Sequence, residues 1–582
     1  MKLSKLFLIP VLSFFFVSCS SKPVEFYSTR RQQPAPVIKG QKPPLKPSAV
    51  PVPPYTTETM TNANSPQYSS AYPYALTTPP ESSSAPTQPL SEVNDPIALL
   101  KSSNVTPKIA EDYILNRFSS SQLEVMAKDQ SLINYRPLVL WQLGQIYLKN
   151  KRPSQALDYF RALTSQFPQH HLSIQANRMI QLLQATQEVD ATTIGAILPM
   201  TGKNSSIGQH ALNALRIGLG LNKPDQKFKL VVFDTQSTAE LATAGVDKLL
   251  IENKVIAIVG GLSSREATLI AQRADLLSVP FFALSQKPGL TNIGDYVFRN
   301  SLTPEMQVDQ LVAFAFEKLA AKKFAILYPN DSYGVEFANI FWDQILARGG
   351  QITAAQTYDS KENDFTGIIQ KLVGTYYPEG RPQEYKQRLD ELKKSKKDRA
   401  QKNKKDKKVV VRNSREHEVE ESILQPVVDF DVIFLPDNGK TLSQVMAFMK
   451  VNDVPGLTYL GTNIWNSPDI VKRASAQKEN VYFVSATDPN DADVRSTEFF
   501  KEYVAEFNEE PTLIEMQAFE SVKILRDTIS YGGTSRDSLA AKLRIMGRST
   551  GVTGELRMSN QREIERPVHI LSLDNGLIKK IN

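Results

Sequence analysis

From residue 191 onward one unit recurs: a short apolar run, then a longer stretch with apolar residues every three or four positions. That alternation confines the chain to a parallel sheet covered by helices, because parallel strands need a crossover that packs back on the sheet. Apolar runs at 193–198, 228–234 and 255–259 precede amphipathic stretches at 208–221, 239–252 and 264–277. A second series follows: a strand at 324–328, a helix at 332–347, a strand near 351–357, a helix at 365–372 and a strand at 430–435. Two such series predict two α/β lobes.

Ahead of this region, residues 96–188 show the 3.6-residue apolar period in five stretches, 109–118, 121–128, 136–149, 153–167 and 172–187, which predict helices. Leu143, Gly144, Tyr147, Ala156, Phe160 and Pro168 fall at spacings that resemble a tetratricopeptide repeat, with Leu140 where tryptophan is common. Small Gly144 and Ala156 would let two antiparallel helices approach, with Tyr147 and Phe160 between them. One such unit is legible, so ordinary helical hairpins fit as well. Either form suggests protein contact rather than chemistry. Residues 19–95 read as a tether: between Lys22 and Pro96 lie 16 of the 36 prolines and few aliphatic residues. Such a stretch buries too little surface to offset its ordering entropy and extends where it adopts polyproline II.

Residues 1–18 have the layout of an export signal: Lys2 and Lys5, an apolar run to Val17, then Ser18 before the only cysteine, Cys19. The run is shorter than the roughly 20 apolar residues of a transmembrane helix. Phe16-Val17-Ser18-Cys19 resembles the bacterial lipobox, with Phe16 where leucine is usual, which implies lipidation of Cys19. Ser20 resembles the signal for outer-membrane sorting. The expected location is the periplasmic face of the outer membrane, held by acyl chains. A single cysteine excludes a disulfide framework, and five scattered histidines show no ligand spacing, so no metal or other cofactor is expected.

Several segments, in order, resemble the type I periplasmic binding proteins of the leucine/isoleucine/valine class. They are Ile197-Leu198-Pro199-Met200-Thr201-Gly202, Ile256 to Ser264, Val279-Pro280-Phe281-Phe282-Ala283, Ala325 to Tyr328 with Tyr333-Gly334, Asp364-Phe365, and Gly461-Thr462-Asn463. The resemblance spans 191–582 and implies a two-lobed α/β fold crossed three times by the chain. Lobe 1 would comprise about 191–311 and 486–560, and lobe 2 about 312–485 and 561–582, with a charged insertion at about 375–425. Ligand would sit in the cleft, where a hinge closes over it.

In that class hydroxyls and backbone N–H groups hold a ligand carboxylate, and an acidic side chain of the other lobe pairs with the ammonium. By resemblance the carboxylate positions fall at Ser264, Leu284, Ser285 and Gln286, an aromatic cleft position at Tyr333, and the acidic position at Asn463. Asn463 cannot neutralise an ammonium, and Gln286 replaces a usual threonine. Each residue also has a structural reading: Ser263 with Glu266 has the spacing of a capping box, Tyr333 follows the capping residues Asp331 and Ser332, and Asn463 follows a turn glycine.

No enzyme is legible. Gly202-Lys203-Asn204 lacks the glycine and hydroxyl of a P-loop, no G-x-S-x-G elbow occurs, and no second cysteine offers a nucleophile. The net charge of +7 is local, since residues 386–408 carry 12 Lys or Arg against 4 Asp or Glu. Outside the cytoplasm this insertion does not point to nucleic acid. It reads as a solvated excursion, or as a contact for an anionic envelope polymer or an acidic partner. Signal, tether, repeat-like helices and a binding-protein module together resemble the outer-membrane lipoprotein activators of penicillin-binding proteins. That implies a class A penicillin-binding protein as partner and a role in peptidoglycan synthesis. The alternative is a solute-binding protein for amino acids or similar small molecules, feeding an ABC transporter or sensor.

Overall fold

The computed structural model describes residues 26–27, 96–101, 105–405, 424–454, 456–474, 480–488, 490–574 and 576–581. The export signal, Cys19 and nearly all of the proline-rich segment lie outside them. The described residues divide into two compact units, one ending at residue 133 and one made of residues 26–27 with those from 134 onward. The smaller unit holds α1 (Pro96–Lys101), α2 (Pro107–Asn116) and α3 (Ser120–Lys128). Thr106 caps α2 ahead of a proline at its first position, and Ser119 with Gln122 closes a capping box on α3.

The larger unit includes the two-residue strand β1 (Phe26–Tyr27) and three helices, α4 (Arg136–Lys149), α5 (Pro153–Gln166) and α6 (His171–Ala185). The small residue at position 144 is what brings α4 onto α5: a Cβ there would sit 2.4 Å from the Phe160 ring. Tyr147 stacks on Tyr159 with centroids 5.4 Å apart.

Lobe 1 follows as β2 (Asp190–Leu198), α7 (Ser205–Leu219), β3 (Lys229–Asp234), α8 (Leu241–Asn253), β4 (Val255–Gly260), α9 (Ser264–Leu276), β5 (Phe281–Ala283) and β6 (Val297–Arg299). Its sheet runs β1-β3-β2-β4-β5-β6 with every pair parallel. The chain then builds lobe 2 from α10 (Pro304–Glu317), β7 (Lys323–Pro329), α11 (Ser332–Ala347), β8 (Gln351–Tyr358), α12 (Thr366–Leu372), α13 (Pro382–Lys405), β9 (Val432–Phe434), α14 (Gly439–Val451), β10 (Thr458–Gly461), α15 (Pro468–Ala474) and β11 (Asn480–Ser485).

It returns to lobe 1 as α16 (Ala492–Ser496), α17 (Glu498–Phe507), α18 (Leu513–Ser530), α19 (Arg536–Arg544) and the short strands β12 (Ser549–Gly551), β13 (Gly554–Met558) and β14 (Ile564–Glu565). The closing strands β15 (His569–Asp574) and β16 (Leu577–Ile581) join lobe 2, whose sheet runs β16-β15-β11-β10-β9-β7-β8. Both sheets are therefore parallel at heart, with an antiparallel hairpin only at the edge of the second.

Two expected lobe borders move. Val308, Leu311 and Val312 of α10 pack in one core with Phe324 and Ile326, so the first crossing lies at 300–303 and not near 311. Glu563 bridges Arg299, and β14 pairs with β13, so residues 561–565 stay with lobe 1 and the third crossing lies at 566–568. The apolar period of a helix tells which face is buried but not which sheet covers it.

The first and third crossings meet at a buried polar cluster. Arg566 and Glu520 are an ion pair at 3.0 Å with both side chains wholly inaccessible. Glu520 Oε1 also accepts from Thr553 N and Oγ1, both at 2.9 Å. Arg566 further donates to Asn300 Oδ1, while Asn300 Nδ2 donates to Gln517 O on α18 at 2.9 Å. Removing one partner of such a pair strands a buried charge, whereas removing both together does not. Arg566→Met is therefore expected to cost about 3–5 kcal/mol in urea unfolding, and Arg566→Met/Glu520→Leu to recover much of it. A single variant as stable as the wild type would show that the pair does not hold the crossings.

Candidate functional site

In open α/β sheets the crevice lies beyond the C-terminal strand ends, where the strand order reverses. Lobe 1 reverses at β2, between β3 and β4, and lobe 2 at β7, between β8 and β9. At both points the next helix starts hard against the strand end. A Cβ on Gly208 would lie 2.1 Å from the Pro199 carbonyl oxygen, and one on Gly334 would lie 2.3 Å from that of Pro329. Glycine at both positions thus brings the starts of α7 and α11 to the cleft.

On the lobe 1 wall, Ser263 caps α9: its Oγ accepts from Glu266 N at 3.3 Å, and Thr235 Oγ1 donates to the buried Glu266 at 2.7 Å. The capping box is real, and it leaves Ser264 at the first helical position with an exposed side chain. Leu284 N donates to Gly260 O at 2.9 Å, which sets Leu284, Ser285 and Gln286 beside the end of β4. Leu284 and Ser285 are buried, and Ser285 Oγ is occupied in a local turn, accepting from Lys287 N at 3.2 Å. Buried Arg299 pairs with Glu563 at 2.6 Å and donates to the carbonyls of Gln286 and Lys287, which fixes this loop.

On the lobe 2 wall, the Tyr333 hydroxyl and Thr462 Oγ1 lie 2.8 Å apart, and burial pushes the phenol pKa upward. Asn463 N donates to Gln307 Oε1 at 2.9 Å, while Asn463 Oδ1 is buried without a partner. Tyr358 donates to Asp437 Oδ2 at 2.7 Å, and Trp465 Nε1 donates to Asp437 O at 2.5 Å. The structure thus joins Tyr333 to Asn463 through Thr462, and Ser264 to the 284–286 loop through the end of β4.

Beside the second crossing lies an interlobe cavity of about 480 Å³. Asn463, Asn466, Ser485 and Thr487 wall it on one side, and Val494, Phe500, Ile514 and Met516 on the other. Asn466 Nδ2 donates to Ser485 Oγ at 2.8 Å and to Thr487 O at 2.9 Å, and its Oδ1 is buried and unpaired. Of the six expected cleft residues only Asn463 lines this cavity. Asn466 sits three residues after Asn463, a spacing that carries no signal outside a long helix.

Glu336 was also not legible as a site residue, although it stands on the same face of α11 as Tyr333, three positions on. Its Oε1 is buried without a partner. Burial raises its pKa, with Glu305 adding to the effect and Lys287 and Arg299 of lobe 1 opposing it, to about 7. Lobe 2 therefore carries a half-buried carboxyl group at 336, outside the lining of the interlobe cavity. Among the described residues no group of three or more His, Cys, Asp or Glu converges to hold a metal ion, and no helix is long and apolar enough to cross a membrane.

With this geometry in view, residues 191–375 match the model of a family described as Periplasmic binding protein. The "Amino acid binding protein" of Pseudomonas aeruginosa is 25% identical over 218 residues, which are 34% of this chain and 57% of that relative. The chain thus matches little more than half the length of this curated relative. Among solved structures, a branched chain amino acid ABC transporter periplasmic ligand-binding protein from Burkholderia xenovorans LB400 superposes with a TM-score of 0.51 at 14% identity, over 67% of this chain and 94% of that one. An ABC transporter substrate-binding protein from Sphaerobacter thermophilus gives 0.51 at 14% identity, over 67% and 96%. The C-terminal part of the chain has the two-lobed periplasmic-binding-protein fold.

Because the folded state holds the Glu336 proton more tightly than the unfolded chain does, stability falls as pH rises from about 4.5 to about 7 and is level above that. Glu336→Gln is expected to remove this part of the slope. Urea titrations of both proteins between pH 4.5 and 8 read it, and parallel curves would place Glu336 in water.

Proposed function

We propose that the chain is a non-enzymatic, extracytoplasmic binding protein that takes a small amino-acid-like solute between its lobes and presents it to an ABC transporter or sensor. The observation that carries this reading is the interlobe cavity: both lobes wall it, and apolar side chains such as Phe500 and Ile514 face amide, hydroxyl and charged groups, Asp488 and Arg495 among them. The carboxyl groups on this cavity are those of Asp488 and Glu510, and Glu336 lies outside its lining. The names of the relatives, amino acid binding and branched chain amino acid transport, support the same class of ligand.

A second reading has its own observation. The helices α4–α6 are clamped onto lobe 1: Arg178 and Arg273 both pair with buried Asp247, at 3.0 and 2.7 Å, Lys151 pairs with Asp275 at 2.9 Å, and Arg536 donates to Thr186 O at 2.6 Å. A solute cleft does not need such an addition. It suits a protein-contact surface, as in a lipid-anchored outer-membrane activator of a class A penicillin-binding protein, with Cys19 as the anchor.

A thermal-shift screen of the full chain against free amino acids and small peptides separates the two. A ligand at a hundredfold excess over Kd is expected to add about 2.7 kcal/mol, and Asn463→Ala to weaken the shift. Silence across the panel, together with capture of a class A penicillin-binding protein that Lys151→Ala weakens, would favour the second reading.

A further inference from the structure

Between α12 and β9 the chain makes an excursion whose two legs are tied together. Val427 N donates to Val373 O at 2.8 Å, and Arg381 Nη1 donates to Gly374 O at 3.1 Å and to Gln425 O at 2.8 Å. Two independent features mark what it displays. At its base Tyr376, Tyr377, Val427 and Val428 are 43%, 54%, 49% and 43% exposed. The two tyrosine rings meet edge to face at 4.8 Å, and the Lys371 ammonium lies 4.7 Å from the centre of the Tyr376 ring.

Beyond this base, α13 runs for 24 residues, roughly 36 Å at about 1.5 Å per residue. Its carboxylates are spent in the first half, where Glu384 pairs with Arg381, Glu391 with Arg388 and Asp390 with Lys393. From Lys394 to Lys405 the sequence sets seven basic residues against Asp398 alone. Lys394, Lys396 and Lys397 are exposed, and none is in an ion pair among the described residues.

We propose that this excursion docks the protein on an anionic phospholipid surface. Tyr376, Tyr377, Val427 and Val428 seat at the boundary between headgroups and acyl chains, where tyrosine and small aliphatic side chains are favoured. Lys393, Lys394, Lys396 and Lys397 lie against the headgroup phosphates, each strengthening binding by about fivefold. Charge complementarity alone would fit any polyanion. The exposed apolar base decides between them, because a soluble polyanion gives those four side chains nothing to bury. The proposal is independent of what the interlobe cavity holds.

Flotation of the full chain with vesicles of phosphatidylcholine, with or without about 30% phosphatidylglycerol, tests it at low salt. The comparison is with Lys393→Gln/Lys394→Gln/Lys396→Gln/Lys397→Gln, which preserves helix propensity, and both proteins carry Cys19→Ser so that no acyl chain contributes to flotation. The variant is expected to lose at least about thirtyfold in partition to the anionic vesicles. Tyr376→Ser/Tyr377→Ser is expected to lose about fivefold with an unchanged melting temperature. Equal partition of the wild type and the lysine variant overturns the proposal. So does binding to dextran sulfate, independent of Tyr376 and Tyr377, by a chain that does not discriminate anionic from neutral vesicles.

Discussion

The ion pair between Glu520 and Arg566 sits where two of the three interlobe crossings touch α18, and the arrangement of both lobes depends on it. Two charges removed from water are expensive, and their attraction offsets that cost only in good geometry with further hydrogen bonds. Thr553 and Asn300 supply those bonds. Asn300 belongs to the first crossing and Arg566 to the third, so neither segment can slip without stranding a buried charge. The remaining crossing runs past the interlobe cavity, where Asn490 Nδ2 donates to Ile578 O at 3.0 Å and Asn490 N to Asp488 Oδ1 at 2.9 Å.

A similar logic binds the helical segment to lobe 1. Asp247 is buried on α8 and receives Arg178 from α6 and Arg273 from α9. Because α6 and α9 share one buried carboxylate, α4–α6 move with lobe 1. Any change in the angle between the lobes therefore displaces these helices relative to lobe 2. This is the physical route by which occupancy of a cleft would be felt at a protein-contact surface, and it allows one chain to serve both readings.

Much of the fold was legible because strand–helix alternation leaves few topologies open. The strands at 193–198 and 324–328 and the helix at 332–347 stand where the apolar period put them, within a few residues at their ends. What escaped was tertiary. The apolar face of α10 is equally clear whichever sheet it covers, so its lobe was misread. The capping role of Ser263 was visible in Ser263 and Glu266 alone, since a cap is local. The pairing of Tyr333 with Thr462 spans 129 positions, and the raised pKa of Glu336 depends on Glu305, Lys287 and Arg299. Neither leaves a trace in local spacing. In the charged insertion, a solvated excursion was foreseeable from its composition, but neither the 24-residue helix α13 nor the tying of its legs by Arg381 was.

The central claim is that the two lobes close over a small solute. Spin labels at Lys203→Cys on lobe 1 and Lys440→Cys on lobe 2, both exposed, with Cys19→Ser, report the interlobe distance by pulsed electron paramagnetic resonance. The account predicts that one class of amino-acid-like solute shortens and narrows the distance distribution, and that Asn463→Ala weakens the response. A distribution unchanged by free amino acids and small peptides at millimolar concentration would contradict it.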